Sequence, residues 1–289
     1  MGSVKDLEII TPAYENRPGK VLFDFSDRYS VFDWGEMPDQ IKNKGSALAV
    51  MAAYNFERLE ERGIPTHYQG LIVNDGLVGS DDLELGNGGS NIMEVQMAVR
   101  YDPVARKFLR KDGNPQVEYD YSFFKRNMGE INNFLVPLEI IFRNGLPKGS
   151  SVFKKLAKAR GDPQKTREIL DKLGLREIPK EGDMLPIPVL SYTTKLEEGD
   201  RNLTRDEAYY ISGLRAPQFR KIRDLALKVN DFVTSRAEQT GLAPHWDGKV
   251  EMIYIEGELV LVDVIGTLDE DRFGDRISKE FLRQWYKTN

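Results

Sequence analysis

The chain has 289 residues, 40% of them hydrophobic and 30% charged, enough apolar material for a large core shared by two lobes. Its net charge of −5 argues against a nucleic-acid partner, no apolar run is long enough to span a bilayer, and the opening MGSVKDLEII lacks an apolar signal region, so a soluble, cytoplasmic protein is expected. Cysteine is absent and only His67 and His245 are present, which excludes disulfides and thiolate or multi-histidine metal sites and leaves a hard, oxygen-held ion such as Mg2+ as the metal to expect.

In chain order, VLFDF at 21–25 alternates and predicts a strand. Residues 46–63 have helical periodicity, with Ser46 as the expected cap and Gly63 as the stop. Residues 74–91, rich in Gly, Asn and Asp, read as a loop. Strands are expected at 94–101 and 116–123 around the KDGNP turn at 111–115, and another at 135–143. Helices are expected at 151–160, 164–174, 205–212 and 215–240, with an irregular Pro-rich stretch at 179–190. Two apolar runs at 250–255 and 259–265, joined by Glu-Gly-Glu, close the chain as a β-hairpin. Strands followed by helices and a final hairpin predict an α+β protein with antiparallel sheets and a helical second half. The expected division is a strand-rich lobe at 1–135 and a second lobe, with helices and the hairpin, at 136–289.

Three segments carry candidate chemistry. Glu251 and Asp263 lie on opposite arms of the hairpin, and two converging carboxylates need a cation or proton between them. They read either as Mg2+ ligands or as solvated strand-end acids, with Lys249 two residues away on the same strand face. In VPLEIIFRNGLPKGSS at 136–151, Arg143 and Ser150 suit a carboxylate or phosphate, or Ser150 is simply a helix cap. SYTTKLEEGDRNLTRDEA at 191–208 is a polar loop with Lys195, Asp200 and Arg201, followed by a Thr204–Glu207 capping box.

Taken in order, these segments resemble the SAICAR synthetase family over nearly the whole chain. GSVKDL at 2–7 is similar to the family's opening Gly-Lys-Val-Arg-Asp loop, and FSDRYSVFDW at 25–34 with NKGSAL at 43–48 is similar to its next signature. VPLEIIFRNGLPKGS resembles the Pro-Leu-Glu…Arg…Gly-Ser motif, TTKLEEGDRNLT the Thr-Lys-x-Glu…Asp loop, and WDGKVEMIY the Asp-x-Lys-x-Glu strand. VDVIGTLDEDRF resembles the Asp-Glu-Ile-Ser-Pro-Asp…Arg run with one inserted residue. The resemblance implies a two-lobed, ATP-grasp-like fold and an ATP- and Mg2+-dependent carboxylate–amine ligase of purine biosynthesis, which joins a carboxylate to the amine of aspartate. It implies that Glu251 and Asp263 hold Mg2+ on the ATP phosphates and that Lys249 stands near the reacting groups. Lys5 falls on the nucleotide-covering loop. Arg143, Ser150, Lys195, Asp269 and Arg272 fall at substrate positions, and Asp200 on the loop associated with substrate and metal.

Departures accompany the resemblance. Ser3 replaces a lysine, Val264 a glutamate and Leu268 a proline; Phe142 stands where a smaller residue is usual, and Met252-Ile253 where Phe-Gly is common. Apolar Phe142, Val264 and Leu268 point toward an aromatic acid, as in amide bond synthetases of the marinacarboline type. A small-molecule kinase of related lobe arrangement is the rival enzyme class. The sequence is compatible with a homo-oligomer but no heptad demands one.

Overall fold

The computed structural model describes residues 5–30, 35–83, 89–109, 113–274 and Tyr286. Ser3, Val31–Trp34 of the second signature and Lys111-Asp112 of the expected turn lie outside these residues. A five-stranded sheet is built from β1 (Lys5–Thr11), β2 (Gly19–Phe25), β3 (Tyr68–Val73), β4 (Gly76–Val78) and β5 (Ile92–Met97), in the order β1-β2-β5-β3-β4. Helix α1 (Lys44–Glu60) covers it with Leu48, Ala49, Ala52, Ala53, Phe56 and Leu59, an i, i+4, i+8 stripe buried against the sheet.

A second, six-stranded sheet contains β8 (Asn133–Leu135), β9 (Leu138–Gly145), β10 (Met184–Thr194), β11 (Asn202–Leu203), β12 (Asp247–Ile255) and β13 (Glu258–Val262). Its main path runs β11-β10-β9-β12-β13, and every pairing between strands is antiparallel. The short α2 (Ser122–Arg126) precedes β8, helices α3 (Ser151–Lys158) and α4 (Pro163–Lys172) leave from the end of β9, and α5 (Arg205–Ile211) and the 25-residue α6 (Ala216–Thr240) follow β11. One apolar cluster joins the two sheets, running from Val21 and Phe23 through Phe134, Ile140 and Phe142 to Val229, Met252 and Leu261. The α+β class with antiparallel sheets is therefore as the sequence order implies. No helix among the described residues is long and apolar enough to cross a membrane.

Three local expectations give way. Ser46 does not cap α1; the helix starts at Lys44, and the Asp27 carboxylate accepts from the backbone N–H groups of Asn43 (3.0 Å) and Gly45 (2.9 Å). A cap supplied from 16 residues away leaves no local signature. The strands expected at 94–101 and 116–123 form in part, as β5 (Ile92–Met97) and β7 (Pro115–Asp120), but an unexpected strand lies between them: β7 pairs with β6 (Val104–Leu109), and β5 belongs to the first sheet. All six residues of β6 are exposed, so it carries no alternation for the eye to find. Finally, the Pro-rich stretch is not irregular throughout, because β10 begins at Met184. Pro186 and Pro188 fall where its register with β9 shifts, between Met184 and Val189, and a bulged edge asks no ladder N–H of them. The Thr204–Glu207 capping box forms as expected, with both reciprocal bonds made.

Packing and capping set measurable costs. Phe134→Ala, in a fully buried position, should lower unfolding free energy by about 3–5 kcal/mol. Asp27→Ala should cost about 1 kcal/mol through the lost cap. Urea titrations of both variants check the ranking, and an Asp27→Ala loss as large as that of Phe134→Ala would disprove the capping role.

Candidate active site

Alternation along β9 divides its side chains. Leu138, Ile140 and Phe142 enter the core, so Glu139, Ile141 and Arg143 share the other face. Register carries that face sideways: Glu139, Ile141 and Arg143 sit opposite Thr193, Ser191 and Val189 of β10, and on β12 Lys249 pairs with Ile141 and Asp247 with Arg143. Two charged groups result, one at each end of the face.

The first gathers around Lys249. Its Nζ lies 2.9 Å from Glu139 Oε1, 3.0 Å from Glu251 and 3.3 Å from Glu270. Lys195, just past the end of β10, donates to Glu251 Oε1 at 2.7 Å and lies 3.8 Å from Glu139. Thr193 donates to the second oxygen of Glu139 at 3.1 Å. Burial opposes the charge on Lys249, but the carboxylates of Glu251, Glu270 and Glu139 hold its pKa well above the usual lysine range. It is a fixed cation and not a nucleophilic amine.

Asp263 joins this group by a backbone device. In the hairpin Glu251 pairs with Val262, so strict alternation would send Asp263 to the opposite side. Instead Asp263 leaves β13 with φ 69°, in the left-handed region that Asp tolerates, and its carboxylate receives the Lys5 ammonium from β1. Lys5 also lies 4.2 Å from the centre of the Phe23 ring. His67 Nε2 is 3.1 Å from the Asp263 carbonyl oxygen, and since that oxygen only accepts, Nε2 carries the proton. Burial among Phe23 and Phe56, with Lys5 nearby, lowers the His67 pKa to about 4, so the ring is neutral near pH 7. Burial disfavours the Asp263 charge, but Lys5 and Lys249 outweigh it and hold the pKa below the usual range. Burial and the Asp263 charge raise Glu251, against the pull of Lys249 and Lys195. Asp200, at the end of the loop after β10, forms no ion pair among the described residues; burial and the Glu139 charge raise its pKa, against the pull of Lys249 and Lys195.

The second group centres on Asp247. Arg272 grips it with both Nε (2.7 Å) and Nη2, and Arg143 Nε stands 3.7 Å from its Oδ2. Burial lowers the Arg143 pKa, and its buried Nε has no hydrogen-bond partner among the described residues. The segment carrying Arg272 is pinned to β12. Trp246 N–H donates to the Arg272 carbonyl at 2.8 Å, Arg272 N–H donates to the Asp247 carbonyl at 2.9 Å, and His245 Nε2 lies 2.8 Å from Asp271 Oδ2. Gly248 permits this closeness, since a Cβ there would stand 2.2 Å from the Asp271 carboxylate.

The structure thus brings Lys5, Lys195, Lys249, Glu251 and Asp263 together, with Asp200 in electrostatic reach, and sets Arg143 and Arg272 at the other end. Two residues expected at the substrate have other partners in this structure. Ser150 is 1% exposed and its hydroxyl accepts from Val152 N–H as the cap of α3, and Asp269 pairs with Lys44 at 3.0 Å. Glu139, Glu270, Asp247 and Lys44 were not singled out. Glu139 had a signal, alternating with Arg143 in VPLEIIFR; the other three needed the tertiary contacts.

The donor chemistry can be matched to Mg2+. Glu251, Asp263 and Glu270 repel one another and offer only oxygen, which suits a hard cation. Among the described residues no three acidic or histidine side chains form a finished metal cage. That fits an ion held by one or two carboxylates and completed by water and phosphate oxygens. Glu251 and Asp263 are the residues that would hold it.

Comparison with known proteins follows this geometry. The SAICAR synthetase family profile matches residues 10–289. A protein of Archaeoglobus fulgidus that carries the provisional name phosphoribosylaminoimidazole-succinocarboxamide synthase is 42% identical over 291 aligned positions, covering 99% of this chain and 79% of that one. Among solved structures, a SAICAR synthetase in complex with ADP superimposes with a TM-score of 0.60 at 23% identity, covering 94% of this chain and 82% of the other. The Saccharomyces cerevisiae SAICAR synthase in complex with SAICAR gives 0.63 at 21%, covering 100% and 83%. At those identities the two structures speak for the fold.

Glu270 yields a pH prediction. Burial and the charge of Asp263 raise its pKa from 4.5 to about 7. Between those values the folded state binds a proton that the unfolded state has released, so stability should fall as pH rises from 4.5 to 7. Glu270→Gln should flatten that fall, measured as unfolding free energy against pH. An unchanged slope would show that Glu270 ionises as it does in the unfolded chain. By its motifs, its fold and its relatives, the chain belongs to the SAICAR synthetase family, whose members are ATP-dependent carbon–nitrogen ligases.

Proposed function

We propose that the chain joins the carboxylate of a carboxylated aminoimidazole ribotide to the amine of aspartate, with ATP and Mg2+ as cofactors. The observation that supports this most is the Lys195–Lys249–Glu251–Glu139 lattice, with Asp263 brought in by Lys5. A carboxylate resists attack because its charge repels nucleophiles and oxide leaves poorly. Mg–ATP, when bound, supplies the phosphoryl group that makes one carboxylate oxygen a leaving group. Glu251 and Asp263 would hold the metal; Lys5, Lys195 and Lys249 provide fixed positive charge where phosphate charge develops. Arg143 and Arg272 orient the acid. The Asp200 carboxylate, partly desolvated, takes a proton from the incoming ammonium so that a neutral amine attacks.

The apolar departures from the family pattern do not form an aromatic slot. Phe142 is 0% exposed and Val264 5% exposed, both in the central core, with Leu268 packed against it. No observation favours the aromatic acid, and none favours phosphorylation of a hydroxyl.

Incubation with ATP, Mg2+, the carboxylated ribotide and aspartate should form the amide, read by mass spectrometry. Glu251→Gln and Asp263→Asn should each lower kcat by about 100-fold or more while thermal unfolding shows a folded protein. Arg272→Lys keeps charge but loses the planar fork, and should lower kcat/KM for the ribotide. Amide formation only from aromatic acids, or full turnover in both acid variants at limiting Mg2+, would sink the proposal.

A further inference from the structure

A buried polar network that the proposed chemistry does not use adjoins the two arginines. Asn144 and Asn230 exchange side-chain bonds at 2.8 Å, linking β9 to α6. Asn144 Nδ2 also stands 3.2 Å from the His245 carbonyl oxygen. The His245 ring is held at both nitrogens: Nδ1 lies 2.9 Å from Thr234 Oγ1 of α6, and Nε2 lies 2.8 Å from Asp271 Oδ2. Asn144, Asn230, His245 and Asp271 are all buried. Phe142 meets the imidazole edge to face and Phe273 stacks on it, at 5.6 and 5.1 Å between ring centres.

The hydrogen bonds give this network a direction. The Asn144 amide nitrogen, 3.4 Å from Nδ1, and the Thr234 hydroxyl can both donate to that ring nitrogen. A ring that accepts at Nδ1 carries its proton on Nε2 and donates it to the Asp271 carboxylate. Burial raises the Asp271 pKa, and the bond from His245 is the largest effect opposing it. Three members of the network sit beside the Asp247 group: Asn144 follows Arg143, Asp271 precedes Arg272, and His245 stands two residues before Asp247. Trp246, between His245 and Asp247, accepts at its carbonyl from the Asn144 and Gly145 N–H groups and donates its own N–H to the Arg272 carbonyl. Apolar side chains of similar volume would fill this part of the core without the desolvation penalty of buried polar groups, so stability alone does not account for the network.

We propose that His245 is a positioning residue for Arg143 and Arg272: anchored to α6 by Thr234, it holds Asp271 and, with Asn144, fixes the two backbone segments that carry these guanidinium groups. That the two arginines orient an acid substrate rests on the ligase reading; their positioning by His245 does not. The physical reason is preorganisation. Arg272 grips Asp247 through a planar fork, which tolerates only a narrow range of positions. Its backbone meets β12 at an isolated bridge with Asp247, outside any named strand. A segment held by one bridge lacks the ladder that makes a strand rigid, and the His245–Asp271 bond, one residue away, supplies the missing constraint. A displacement of about 1 Å in a positioning group can lower a rate about 100-fold.

Three variants of the full chain separate positioning from packing. His245→Phe keeps a ring between Phe142 and Phe273 but removes both ring hydrogen bonds. His245→Gln keeps an N–H donor near Asp271, and Thr234→Val removes only the bond to α6. In His245→Phe the KM for the carboxylated ribotide should rise about tenfold or more while the KM for ATP changes by less than about twofold; His245→Gln should restore most of the loss, and Thr234→Val should raise the ribotide KM about threefold. A second readout does not depend on turnover: hydrogen exchange of the Arg272 side-chain Nε–H, followed by heteronuclear NMR and assigned with Arg272→Lys. This proton should be protected in the wild type and exchange about tenfold faster or more in His245→Phe. Melting curves report folding, and if His245→Phe does not fold, Thr234→Val carries both readouts. Unchanged ribotide KM and unchanged Arg272 exchange in the folded variant, or equal rises in KM for ribotide and ATP, would overturn the proposal. If the wild type forms no amide yet Arg272 exchange quickens in His245→Phe, the positioning role stands and the ligase reading falls.

Discussion

The contact between Lys5 and Asp263 ties the two sheets together at the point where charge is most crowded. Lys5 opens the first sheet and Asp263 follows the last strand of the second. Removing either would leave a partly buried charge without its nearest partner. The neutral His67 ring, wedged between Phe23 and Phe56 and bonded to the Asp263 carbonyl, fixes the backbone that presents this carboxylate. Structure and electrostatics are therefore set by the same few residues.

Around that contact the protein keeps three lysines among four carboxylates at close range. Burial penalises every one of these charges, and only their alternation makes the arrangement tolerable. Such a lattice is also receptive. Phosphate oxygens can replace carboxylates at the lysines, and a divalent cation can replace lysines at the carboxylates, without leaving a buried charge alone. A site designed only for stability would do better with apolar side chains of similar volume.

The two charged groups lie on one face of one sheet because β9, β10 and β12 run in register with a period of two. That face separates tasks along its length: charge neutralisation at Glu139, Lys249 and Glu251, and anion recognition at Arg143. The Asp247–Arg272 pair and the buried His245–Asp271 contact hold the final loop against β12. This anchors the loop that also brings Glu270 to Lys249 and Asp269 to Lys44.

Much of this was legible from the sequence. The hairpin, the α5 capping box, the helices of the second half and five residues of the central cluster could be read, because local periodicity, caps and motif order survive without a partner. Other features could not. Asp27 caps α1 from a distant position, and β6 has no buried face to give it a pattern. The convergence of Glu251 with Asp263 was expected from hairpin spacing, yet alternation alone would have separated them; a single left-handed residue reunites them. Ser150 and Asp269 had the right chemistry for a ligand but were claimed by a helix cap and by Lys44. The sequence by itself determined which chemical groups were available and the local elements that carry them. Which of them meet was decided only by tertiary structure, because strand register, a positive φ and long-range ion pairs depend on residues far apart in the chain.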